Sequence, residues 1–308
     1  MNEKNNRVVS RLIAVVTIII WSITFVSTKI LLRYFSPVDL LLIRVVLALL
    51  FSEIISFGIH PFMGWKTELW CLVTGFSGVG VYQLAENYAL AFADASQVSV
   101  IVSIAPLLTV IIATFMGRIK RPSLSFLIGF VIAITGISLV SFKDGVGESS
   151  IQGVLCALLS ATCWAVYSFA FEKVSKLGVP DRTITKRMFF YSLLLLIPFS
   201  LADGVSIDFA AFKKAEVLLN LAFLAFIAQA TAFLLWNRAL KGLGPIEANI
   251  YIYLIPSITA IFSLFILSEP FTAASVFGTV LVLTGLCFSD SSISARIHKI
   301  LMGKTALK

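Results

Sequence analysis

Apolar runs of membrane-crossing length recur along the whole chain, separated by short clusters of charged and turn-forming residues. A helical span needs about 20 apolar residues to cross the hydrocarbon layer. By that measure the pattern predicts ten spans: Leu12–Leu32, Pro37–Phe57, Trp70–Phe92, Ser96–Met116, Leu124–Phe142, Ile151–Phe171, Phe189–Ala202, Val217–Trp236, Ile246–Leu267 and Phe271–Phe288. The seventh is short, and its start is expected nearer Thr183. The first follows Lys4, Arg7 and Arg11 as a signal peptide would. It is too long for a typical signal core, however, and reaches Lys29 and Arg33 without a clean small-residue cleavage site, so it reads as an uncleaved helix.

Composition agrees with this pattern. Of 308 residues 59% are hydrophobic and 13% charged, whereas soluble domains carry about 25% charge. That excludes a soluble enzyme, a secreted disulfide scaffold and a disordered chain, and leaves an all-α membrane protein. The cysteines Cys71, Cys156, Cys163 and Cys287 are isolated in apolar segments, and His60 and His298 cannot complete a metal cluster with them. No metal or other cofactor is expected.

The net charge of +8 reports orientation rather than nucleic-acid binding, because no nucleic-acid signature accompanies it. With a cytoplasmic N-terminus, eighteen basic residues between or beyond the spans fall on the cytoplasmic side, among them Lys120, Arg121 and those of the tail 291–308. Only Arg33, Lys143, Lys213 and Lys214 fall on the other side. Both termini are therefore expected in the cytoplasm, with the protein multi-pass in the cytoplasmic membrane.

The chain also repeats itself. At an offset of 143, Trp21 falls on Trp164, Pro37 on Pro180 and Arg44 on Arg187. The offset becomes 150 for Asn87–Leu90 against Asn237–Leu240 and for Pro106 against Pro256, then 149 for Gly129 and Gly136 against Gly278 and Gly285. Repeats over 1–146 and 147–290 would each hold five spans. Five is odd, so the second must be inverted, an arrangement common in secondary transporters, whose substrate sites lie near the midplane.

The residues that carry this repeat resemble a known family. Trp21-Ser22 and Trp164-Ala165, Arg44 and Arg187, Ala89-Leu90 and Ala95-Ser96 before Pro106, Trp236–Leu240, Pro256, Ser268-Glu269-Pro270, Gly278 and Gly285 together resemble the drug/metabolite transporter superfamily, of the ten-helix bacterial EamA type. The resemblance implies a carrier of small metabolites, most simply an exporter of amino acids or related compounds. Uptake of an amine, nucleoside-like or sugar-linked compound is the alternative within transport. A channel, scaffold or intramembrane enzyme is the alternative outside it, but HExxH, GxSxG and paired aspartates are all absent. One departure stands out: the family places a glutamate after the proline-centred helix in both halves, and here only Glu269 is present. Its plainest role is beside a positive helix end, with Ser268 as N-cap.

Ionisable groups inside spans cost about 2.5–3.5 kcal/mol on insertion scales, so each needs a reason. Arg44 either snorkels or serves a cavity or gate, and Arg187 is expected to snorkel. Gln83, Glu86 and Asn87 share one face of the third span. Glu86 would suit a cationic or zwitterionic substrate, or would pair with Arg44 or Lys29. Trp21, Trp164, Tyr167, Tyr251 and Tyr253 are candidates to line a cavity, with lipid-interface anchoring as the alternative. Ser99, Ser103 and Gln229 could bind substrate or hold helices together. Pro106 and Pro256 interrupt helical hydrogen bonding and suggest gates or rigid kinks.

Overall fold

A computed structural model describes residues 3–55, 62–119, 123–141, 148–204, 206–269 and 272–289. Lys120, Arg121, Lys143, Pro270, His60, His298 and the basic tail 291–308 lie outside the described residues. Apart from short connections those described are helical, with no strand among them.

The first half runs α1 (Glu3–Leu31), α2 (Pro37–Ile55), α3 (Trp65–Gly75), a wide π turn (Phe76–Gly80), α4 (Val81–Phe92), α5 (Ala95–Val102), α6 (Ala105–Phe115) and α7 (Leu124–Ser141). The second runs α8 (Glu148–Lys176), α9 (Asp181–Asp203), a 3-10 turn (Phe209–Lys213), α10 (Ala215–Ala222), a π turn (Phe223–Thr231) and α11 (Ala232–Asn249). It continues with a 3-10 turn (Ile250–Leu254), α12 (Ile255–Phe262), a π turn (Ser263–Leu267) and α13 (Ala273–Ser289).

The boundaries between spans have identifiable causes. Helix α9 begins at Asp181, close to the Thr183 start expected for the seventh span. Its charged first turns are tolerated because Lys186 is buried and pairs with Glu53 at 2.8 Å. The run read as Ser96–Met116 is broken between α5 and α6, and the break between the eighth and ninth runs falls at Gly244, whose φ of 80° few other residues adopt. Pro106 and Pro256 are not interior kinks. Each stands in the first turn of a restarting helix, α6 and α12, where a missing N–H costs nothing.

The halves interdigitate. Helix α7 packs on α13, α2 on α9, α1 on α11, and α4 with α3 on α8. Where α7 meets α13 the backbones nearly touch, since a Cβ on Gly285 would lie 2.5 Å from the Gly129 carbonyl oxygen. Small residues at such crossings are how helices associate in lipid, where no hydrophobic drive separates them from the solvent. Leucines, isoleucines and phenylalanines on the outer faces of these helices remain exposed, as a lipid environment requires.

Candidate functional site

Helix α1 sets the depth scale. Arg11 and Lys29 on it are separated by about 27 Å at 1.5 Å per residue, close to the hydrocarbon thickness. Trp21, near the middle, begins the wall of a cavity that Thr24 and Phe25 continue. Arg44 of α2, Tyr82, Gln83 and Glu86 of α4 and Val102 of α5 complete the contribution of the first half. Trp164 of α8, Ala228 in the π turn, Phe233 of α11, Ile252 and Ile255 come from the second. The site is narrow, with a free volume of about 30 Å³, room for water and for no metabolite.

The aromatic wall is interlocked. The rings of Trp21 and Trp164 meet edge-on with centroids 5.0 Å apart, and Phe233 lies 5.2 Å from Trp21. Tyr82 lies 5.0 Å from Trp164. Both indoles are anchored from behind: Trp21 Nε1 donates to the Ala228 carbonyl at 3.0 Å and Trp164 Nε1 to Asn249 Oδ1 at 3.1 Å. Asn249 Nδ2 in turn donates to Thr109 and Ser168.

Arg44 and Glu86 are each only 3% exposed, yet they form no direct ion pair. Arg44 Nη2 donates to Gln229 Oε1 at 3.3 Å, leaving its Nε and Nη1 and the Gln229 Nε2 without partners. Glu86 accepts from the Tyr82 hydroxyl at 2.8 Å, and Gln83 Oε1, one turn away, accepts from nothing. The repeat mate of Arg44 behaves differently, because Arg187 is neutralised by Glu68 at 3.1 Å.

The structure thus gathers Trp21, Gln83, Glu86, Trp164 and Arg44 around one cavity, with Gln229 directly behind Arg44. It does not bring the other candidates there. The Asn87 amide donates to the Pro37 carbonyl, holding α4 to the start of α2. Ser99 and Ser103 donate to carbonyls three residues back in their own segment. The Tyr167 hydroxyl donates to Asn237 Oδ1 at 2.5 Å, and its ring packs against Gly78, where a Cβ would approach to 2.5 Å. Tyr251 and Tyr253 pack against the core outside the lining, and Pro106 and Pro256 are buried in their helices, also outside it. Lys29, the other partner considered for Glu86, instead donates to the Leu90 and Ala93 carbonyls that end α4.

Tyr82, Thr24, Phe25 and Phe233 were not anticipated. Tyr82 stands four residues before Glu86 and therefore on the same helix face, a signal that was there to be read. In so apolar a chain nothing in the sequence separates Phe25 or Phe233 from ordinary core.

Contacts between the halves close both ends of α1. At its start Arg7 and Arg11 pair with Glu247, the latter at 2.9 Å; elsewhere between the halves Arg118 pairs with Glu172. At its other end Glu269 accepts from the backbone of Ala95 and Ser96. The expectation that Glu269 stands at a positive helix end is met, but the helix is α5 of the opposite half. Ser268 is no N-cap: it adopts the left-handed conformation, with φ of 55°, at the end of the turn Ser263–Leu267, and the next helix starts at Ala273.

The model of the EamA-like transporter family matches this chain twice, over residues 10–142 and 151–289. The chain belongs to that family. An uncharacterized transporter of Archaeoglobus fulgidus is 25% identical over 89% of this chain and 96% of its own length. The uncharacterized transporter YyaM of Bacillus subtilis is 26% identical over 88% of this chain and 90% of its own. A solved crystal structure shares the fold, with a TM-score of 0.66 at 18% identity, covering 91% of this chain and 95% of that one. This EamA-like protein is a membrane transporter, and its central cavity is the natural place to seek its cargo.

Proposed function

We propose that the protein is a secondary carrier of the cytoplasmic membrane that exports amino acids or related small metabolites by alternating access. Its two repeats, 1–146 and 147–290, would be inverted copies that rock about the central cavity, with both termini in the cytoplasm. The observation that carries this reading is the cavity itself. It lies halfway along α1, is walled by both halves, and holds a buried arginine and a buried glutamate. Buried ionisable groups at membrane depth are costly and mark substrate or ion pathways. A site this narrow admits a solute only if the halves part, and the contacts at each end of α1 would be broken in turn.

The test is counterflow in proteoliposomes loaded with unlabelled amino acids. Saturable uptake of labelled amino acid that persists without ATP is the expected result. No exchange of any amino acid, alongside exchange of another metabolite from a broad panel, would move the cargo elsewhere. No exchange across the whole panel would remove the carrier reading. Faster loss of preloaded amino acid from cells that overproduce the protein would establish outward transport.

A further inference from the structure

We infer that the central cavity is a two-pole site for a zwitterion, in which Arg44 with Gln229 takes the substrate carboxylate and Glu86 with Gln83 takes its ammonium group. This rests on the carrier reading above and assigns its binding chemistry.

The argument starts from how the two charges are held. In a low-dielectric interior, opposite charges near one another attract strongly and normally close into a direct pair. Arg44 and Glu86 line the same cavity and interact electrostatically, but each is tied to a neutral neighbour instead. Gln229 holds the guanidinium and Tyr82 holds the carboxylate. The two charges do not close on each other, and both face the same cavity.

The unsatisfied valences are sorted by type. Around Arg44 every unpartnered atom is a donor: its own Nε and Nη1, and Gln229 Nε2. Beside Glu86 the unpartnered atom is an acceptor, Gln83 Oε1. Leaving such groups unmade in a buried site is expensive. A planar guanidinium with two free nitrogens suits a carboxylate, and a carboxylate flanked by an amide oxygen suits an ammonium group. An anion alone would leave Glu86 uncompensated, and a cation alone would leave Arg44 so. A substrate carrying both charges satisfies both and keeps the closed site neutral.

The scaffold explanation for a buried arginine is illustrated within the same protein. Arg187, at the equivalent place in the second half, has its counter-charge Glu68 at 3.1 Å, and Glu68 also accepts from Tyr191 at 2.6 Å. Arg44 has no such carboxylate in contact. Trp21, Phe233, Ile252 and Ile255 supply the apolar side of the cavity, where the substrate side chain would lie.

The experiment takes the amino acid exchanged fastest in proteoliposomes and compares its binding to purified protein with that of its carboxamide and its N-acetyl derivative. Each derivative lacks one charge. Wild-type protein should bind both at least about tenfold more weakly, the scale of one charge-assisted hydrogen bond. Arg44→Gln should weaken the parent amino acid about as much while leaving the carboxamide unaffected, and Glu86→Gln should do the same with respect to the N-acetyl derivative. Equal binding of all three compounds by the wild type overturns the two-pole assignment while leaving the carrier intact, and needs no variant to fold. If no amino acid is exchanged or bound, the cargo reading fails and this assignment fails with it.

Discussion

Glu269 closes the amino end of the helix that begins beside Ser96. Its carboxylate accepts from the Ala95 N–H at 2.7 Å, the Ser96 N–H at 3.1 Å and the Ser96 hydroxyl at 2.7 Å. Asp94 and Gln97 form a capping box at the same helix start. The first-turn donors that a helix leaves open are thereby consumed, partly by a residue from the far end of the chain.

Glu269→Ala leaves one buried and one part-buried backbone donor open at a positive helix end, and should lower stability by about 1–3 kcal/mol. The measurement is thermal unfolding in detergent. Ser96→Ala should cost less, and the double variant should lose less than the two single losses together, because both act through one contact. Full additivity would mean that the contact contributes nothing.

The cluster around Glu68 offers a second test. Its carboxylate takes Arg187, the Tyr191 hydroxyl and the Met63 N–H at 3.2 Å. Glu68→Ala strands a largely buried guanidinium and should cost about 3–5 kcal/mol, read as loss of monodisperse protein and a lower melting temperature. Adding Arg187→Met should restore much of that loss.

Tight backbone contact makes a third. Gly285→Ala places a methyl group 2.5 Å from the Gly129 carbonyl oxygen, and overpacking of this kind costs about 1–3 kcal/mol. Unfolding temperature should fall although alanine is the better helix former, because the clash outweighs a propensity gain of about 1 kcal/mol.

Tyr167 separates scaffold from site. Tyr167→Phe leaves Asn237 Oδ1 without its donor in the core and should cost about 1–3 kcal/mol. The apparent affinity for substrate should not change, since the hydroxyl points away from the cavity lining. A large rise in the half-saturation concentration would instead place Tyr167 in the site.

Much of this molecule is legible in its sequence because lipid imposes a simple rule on apolar runs. The rule fails where charges are paired: Lys186 belongs inside α9, but only the distant Glu53 makes that acceptable. Polarity at membrane depth draws attention to Gln83, Glu86 and Arg44, which line the central cavity. It draws the same attention to Ser99 and Ser103, whose hydroxyls donate to nearby carbonyls, and to Asn87, whose amide N–H donates to the Pro37 carbonyl while its Oδ1 stays open outside the cavity lining. Which polar group is spent and which is left open depends on three-dimensional neighbours. The partner of Glu269 was invisible for the same reason, since 173 residues separate it from Ser96.

The π turn Phe76–Gly80 stands just ahead of Tyr82, Gln83 and Glu86, and Phe223–Thr231 stands just ahead of Phe233. A π turn carries one residue more than the α-helical winding it interrupts. Rewinding it as ordinary helix would rotate everything that follows by about 100°, one residue's worth of helical rotation. Glu86 and Phe233 would then swing out of register with Arg44 and Trp21. The side chains that meet at the centre therefore owe their aim to the wider winding just ahead of them, and its loss would dismantle the site without breaking either helix.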